Sequence, residues 1–123
     1  VISAKQQERI LGYIQKGVDE GATMLVGSTE PPKEFDKGFW VTPTLFTDVD
    51  NAMTIAQEEI FGPVLVVIPY EDEDDAVRIA NDSVYGLAGN VMSSPRRRSP
   101  AACRLHRTQW NRGVRGGHPL RRL

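Results

Sequence analysis

The stretch Val64-Leu65-Val66-Val67-Ile68 contains no polar residue, and every position but Leu65 is β-branched. A strand with one wet face alternates apolar with polar side chains, so an unbroken run of this kind is the signature of a strand covered on both faces. Gly62-Pro63 stands directly in front of it and ends whatever precedes. A core strand needs only the run. The charged and aromatic residues ahead of the break, Gln57-Glu58-Glu59-Ile60-Phe61, have the character of a shaped loop that something touches.

The rest of the chain supplies elements around that strand. Ser3 is a good helix N-cap, and Gln6 lies at the capping-box spacing. Ile10, Leu11, Ile14 and Val18 recur at helical spacing, and Gly21 suits the position just past the helix end. Ala22 to Val26 predicts a short strand. Ser28 to Gly38, with Pro31-Pro32, predicts a surface loop. Phe39 to Phe46, interrupted at Pro43, predicts an extended segment at a sheet edge or in a β-arm. Asp50 predicts the cap of a short helix through Met53, Ile55 and Ala56.

Asp72 predicts the cap of a further helix. Glu73, Asp74 and Asp75 fall in its first turn, where the macrodipole favours acids, and Ala76, Val77 and Ala80 give it an apolar face. Asn81 to Ser83 ends it, Tyr85-Gly86-Leu87 turns, and Ala88 to Met92 predicts a last short strand. Helices alternating with buried strands define an α/β class with a largely parallel sheet.

The block GFWVTPTLFTDVDNAMTIAQEEIFGPVLVVIPYEDEDDAVRIANDSVYGLAGNV, and the helix ISAKQQERILGYIQKGVDEGA before it, resemble the catalytic domain of the NAD(P)-dependent aldehyde dehydrogenase superfamily. The order of the blocks, with Glu58-Glu59-Ile60-Phe61-Gly62-Pro63-Val64 at their centre, carries the resemblance over residues 1–94. It implies an oxidation of an aldehyde to a carboxylic acid through a cysteine thiohemiacetal, with NAD or NADP as cofactor. Carried over by position, Glu59 binds the nicotinamide ribose and Phe61 packs near that ribose and the nicotinamide. Gly62 then allows close backbone approach, and Pro63 stiffens the loop. The plainer alternative is that Glu59 merely sits in the last turn of a helix and Phe61 is core, and Glu58 is expected to be simply solvated.

The resemblance also implies what this stretch does not carry. In the family the nucleophilic cysteine, the general-base glutamate and the Rossmann-like cofactor domain precede the part that matches Val1. No Gly-rich strand-to-helix fingerprint is present here. Residues 1–94 are therefore expected to be a partial catalytic domain with no catalytic residue of its own, inactive alone and only partly folded or aggregating in isolation. The parent enzyme is expected to be a homo-oligomer.

Cys103 follows the matched block, whereas the family's nucleophile precedes it, so Cys103 reads as an incidental thiol. Cys103, His106 and His118 match no strong zinc spacing, and no metal site is expected.

The tail is of another kind. Residues 1–82 hold all sixteen acids against six basic side chains, a net −10, while residues 83–123 hold nine arginines and no acid. That asymmetry marks two unlike parts, 1–94 and an Arg/Pro/Gly-rich 95–123. Shifting the frame by one nucleotide lets Cys103 to Arg112 encode Val-Ala-x-x-x-Arg-Ser-Gly-Thr-Val, which resembles the family's next helix end and strand start. The tail is therefore read as out of frame, from a shift near residues 93–100. The competing function is a basic arm for nucleic acid or an anionic surface. Nothing patterns the arginines on one face, and Pro95 and Pro100 break any long helix, so nucleic acid is not the expected partner.

The 123 residues suffice for one small domain with a core. No apolar run reaches the length of a membrane helix, and no basic-then-apolar leader is visible. The single cysteine suits a reducing compartment, and a cytoplasmic location is expected.

Overall fold

The computed structural model describes residues 1–86. They fall into two units, Val1–Pro69 and a second that begins at Tyr70.

In the first unit, helix α1 (Ala4–Asp19) opens as its sequence dictates: the Ser3 side chain accepts from the Gln6 backbone N–H at 3.2 Å. The capping box does not close, because the Gln6 side chain reaches away to the carbonyls of Ile60 and Phe61. Ile10 and Ile14 are fully buried on the inner face of the helix, while Val18 lies partly in solvent and Gly17 takes the buried position beside it. Gly17 has no room for a side chain, since a Cβ there would sit 2.8 Å from Ile55. The helix ends through Glu20 and Gly21, which has φ of 97°, the left-handed conformation that glycine alone adopts freely.

Three strands follow: β1 (Thr23–Val26), β2 (Thr44–Thr47) and β3 (Val64–Val66), in the order β1-β2-β3. β1 pairs with β2 antiparallel, with an irregularity between Met24 and Val26, and β2 pairs with β3 parallel. The α/β class holds, and the sheet among the described residues is small and mixed. The segment around Phe39–Phe46 differs from its expected place. Only Thr44–Thr47 is strand, and it is the middle strand instead of an edge. Pro43, which cannot donate to a ladder, stays just outside it, and the first ladder bond on that side runs from Thr44 N–H to the Pro63 carbonyl at 2.8 Å.

The core lies between α1 and one face of the sheet. It comprises Ile10, Ile14, Ala22, Phe46, Val49, Ile55 and Ile60. Leu65 and Val67 alternate out of this core and remain 63% and 47% exposed, so the run Val64–Ile68 is covered on one face among the described residues. Leu25 and Val26 on β1 are similarly open. An uncovered apolar sheet of this kind favours association.

The short helix α2 (Thr54–Gln57) starts four residues beyond Asp50. Asp50 instead closes a turn, accepting the Ala52 N–H at 2.8 Å. The cap comes from far away in sequence: the Glu20 carboxylate accepts the Thr54 hydroxyl at 2.6 Å and the Thr54 N–H at 2.8 Å. The Thr54 hydroxyl, then its backbone N–H, hold the Glu20 carboxyl below its ordinary 4.5. A carboxyl depressed on folding stabilises above its unfolded pKa, and that contribution is lost as pH falls through the lower, folded value. The Thr54 amide resonance should thus titrate with a midpoint below 4.5, and Glu20→Gln should remove that titration. A midpoint at or above 4.5 in the unsubstituted chain would contradict the contact.

In the second unit, α3 (Glu73–Asn81) is capped by Asp72, which accepts the Asp75 N–H at 2.9 Å. Asp75 pairs with Arg78 at 2.7 Å and also accepts the Glu71 N–H, and these two contacts, the arginine first, lower its pKa. The acidic start of α3 is accounted for by its helix terminus. The strand expected at Ala88–Met92, and Cys103, His106 and His118, lie outside the described residues.

Candidate functional site

Glu58 to Pro63 connects the end of α2 to β3. Glu58 is already extended, with φ of −119° and ψ of 148°, so Glu59 lies past the helix and not in its last turn. Ile60 turns inward and is buried. Phe61 turns outward, 70% exposed, with φ of 57°. A left-handed backbone is uncommon for an aromatic residue and needs support from its surroundings.

That support comes from one face of α1. Arg9 Nη2 donates to the Glu59 carbonyl at 2.8 Å, and Arg9 Nη1 donates to the Ile60 carbonyl at 3.1 Å. Gln6 Nε2 donates to the Phe61 carbonyl at 3.3 Å. The Arg9 guanidinium carbon stands 5.7 Å from the Phe61 ring centroid and 5.0 Å from that of Tyr13, within cation–π range of both. Tyr13 donates its hydroxyl to Glu58 Oε2 at 2.6 Å, and that contact, ahead of desolvation, raises the Tyr13 phenol above its usual 10.0. Glu58, expected to be merely solvated, is exposed and also anchors the start of the loop.

Gly62 closes the loop onto the core. A Cβ at Gly62 would lie 2.8 Å from three side-chain carbons of Ile10. The glycine thus serves the packing of the loop on α1.

The Glu59 side chain is half-buried and makes no hydrogen bond or ion pair among the described residues. The loop therefore offers a carboxylate with uncommitted oxygens and, two residues on, an exposed aromatic ring on a fixed backbone. Such a pair can accept hydroxyl donors and provide a flat apolar wall. Among the described residues no group of three or more His, Cys, Asp or Glu is placed to hold a metal ion.

Arg9, Tyr13 and Glu20 carry no motif of their own, and Gln6 stood out only at the capping-box spacing. The available signal was helical spacing, which puts Gln6, Arg9 and Tyr13 in a polar stripe beside the apolar one.

Comparison with known proteins agrees with this architecture. The profile of the aldehyde dehydrogenase family matches residues 1–108. A Staphylococcus saprophyticus protein assigned as an aldehyde dehydrogenase is 55% identical over 94 residues, covering 76% of this chain and 20% of its own length. A Mycobacterium tuberculosis aldehyde dehydrogenase, solved in complex with NAD+, superposes with a TM-score of 0.76 at 53% identity, over 85% of this chain and 21% of that one. A Pseudomonas syringae aldehyde dehydrogenase solved with NAD+ and octanal gives 0.67 at 46%, over 69% of this chain and 18% of that one. This chain belongs to the aldehyde dehydrogenase family. It spans about a fifth of the length of the relatives it matches.

Proposed function

We propose that the Glu59–Gly62 loop is part of the nicotinamide-cofactor site of an enzyme that oxidises an aldehyde to a carboxylic acid. The observation that carries this reading is the pairing of an uncommitted Glu59 carboxylate with an exposed Phe61 ring on a backbone held from α1. The residues fit the group. Glu59 accepts from the hydroxyls of a ribose and orients the sugar, and Phe61 excludes water from one side of it. The chemistry such a cofactor supplies when bound is acceptance of hydride from the aldehyde carbon.

The NAD+ bound by the Mycobacterium relative and the octanal bound by the Pseudomonas relative support a nicotinamide cofactor and an aldehyde substrate for the whole protein. We further propose a homo-oligomeric parent in the cytoplasm, a reducing compartment that the single cysteine suits. No helix among the described residues is long and apolar enough to cross a membrane.

None of the described residues is assigned a catalytic role. The 123-residue chain mixed with NAD+ and a panel of aldehydes should produce no NADH. Measurable turnover would overturn the assignment of the nucleophile to a segment outside this sequence.

The arginine-rich tail is inferred to be out of frame, an inference supported by the complete lack of acids after Asp82. The family profile, which continues to residue 108 in the present frame, weighs against a shift near Ser94. The coding DNA decides between them: an intact frame with no family-like overlap would sink the frameshift.

A further inference from the structure

We propose that Arg9 is the positioning residue of the Glu59–Phe61 loop, registering the backbone that carries the Glu59 carboxylate and the Phe61 ring without touching the ligand itself. The inference rests on the cofactor-loop reading above.

Arg9 addresses three consecutive residues with one planar group. Its two terminal nitrogens reach the successive carbonyls of Glu59 and Ile60, at 2.8 and 3.1 Å, and its central carbon stands over the Phe61 ring at 5.7 Å. A guanidinium fork has a fixed spacing and a fixed plane, so it holds both carbonyls in one relative orientation. The carbonyls so held belong to the two residues before Phe61, whose φ of 57° is a conformation the residue does not favour alone. A lysine in the same place would keep the charge but would offer one nitrogen, no plane and a weaker stack.

The guanidinium is itself steadied from the helix side. Tyr13 lies beneath it at 5.0 Å, accepts from Nη2 at 3.3 Å, and donates its hydroxyl to Glu58 at 2.6 Å. Glu58 is the residue that begins the loop, so the contacts close a circuit: Arg9, Tyr13, Glu58, the loop backbone, Arg9. The next residue along α1, Ile10, is fully buried and packs against Gly62, which fixes the helix at the other end of the loop. Arg9 itself is exposed, so its substitution leaves the core untouched.

The test uses the full 123-residue chain, ¹⁵N-labelled, as the unsubstituted protein and as Arg9→Met, Arg9→Lys and Tyr13→Phe. Two quantities are read in each: backbone order parameters along residues 59–62, and the dissociation constant for nicotinamide mononucleotide. The unsubstituted loop should show order parameters near about 0.85, falling below about 0.6 in Arg9→Met while those of α1 stay put. The dissociation constant should rise by about tenfold, the effect of losing one charged hydrogen-bond set. Arg9→Lys should restore only part of both, and Tyr13→Phe should loosen the loop less than Arg9→Met.

A loop equally ordered in Arg9→Met, or fully restored by Arg9→Lys, would overturn the proposal. Weaker ligand binding with an unchanged loop would also overturn it, since Arg9 would then be a ligand contact. Collapse of α1 in Arg9→Met would do the same, because an exposed lever must leave its helix intact. If the unsubstituted chain does not bind the mononucleotide but its loop still loosens in Arg9→Met, the cofactor reading fails and the positioning role stands.

Discussion

Phe46→Ala should remove most of the helix and strand order that residues 1–69 hold in the isolated chain. Phe46 is fully buried in the middle strand, and its ring reaches the floor of α1 at Gly17, where an added Cβ would stand 3.2 Å from Cζ. Every layer of this unit meets at that ring. Truncating a buried phenylalanine costs about 3–5 kcal/mol, from lost transfer energy and the cavity left behind. A small domain has about 5–15 kcal/mol in total, and one with an open sheet face stands toward the lower end. Urea unfolding followed by circular dichroism checks this. A circular dichroism signal and urea profile unchanged from those of the unsubstituted chain would show that the core is organised elsewhere.

The second large effect is expected at Gly62. In Gly62→Ala the new methyl meets Cδ1, Cγ1 and Cγ2 of Ile10, each at 2.8 Å. Two of those carbons are at the branch of a fully buried side chain, so no simple rotation clears them. Overpacking of this kind costs about 1–3 kcal/mol, and here the strain falls on the loop that carries Phe61. Gly12→Ala is the matched control. Gly12 is exposed in the interior of α1 with nothing within 4 Å of its added Cβ, so alanine there should stabilise by about 0.5–1 kcal/mol. Denaturant midpoints of the two variants should move in opposite directions. If they move together, the packing of Gly62 on Ile10 does not govern stability.

Local signals in the sequence located most of the elements. Ser3 and Asp72 cap the helices they were expected to cap, because an N-cap depends on a side chain and a backbone N–H two or three residues away. The helical stripe marked Ile10 and Ile14 as core for a similarly local reason. The failures are all long-range. Asp50 looked like the cap of α2, but the oxygens that do that work belong to Glu20. Phe39–Phe46 looked peripheral because of Pro43, yet Thr44–Thr47 is central, since strand order is set by which segments pair and not by any one of them.

The same division holds for the loop. Glu59 and Phe61 stood out as residues in an unusual setting, and among the described residues Glu59 lies past the helix end and Phe61 is exposed. Arg9 and Tyr13 were only polar residues on a helix, and Gln6 a capping-box partner, until the fold brought Glu58–Phe61 against them.

The hydrogen bonds that hold the loop to α1 join residues 45 to 55 apart in the chain. None of them can form until the segment between has closed, and closing it costs entropy that only later contacts repay. The helix can nucleate by itself within its own first turns, but the loop has no local reason to adopt its shape. Phe61 should therefore reach its left-handed backbone among the last events of folding, after β2 and β3 have paired and α1 has docked. A loop held only by such distant contacts should be the slowest part of the unit to be made and the first to be lost.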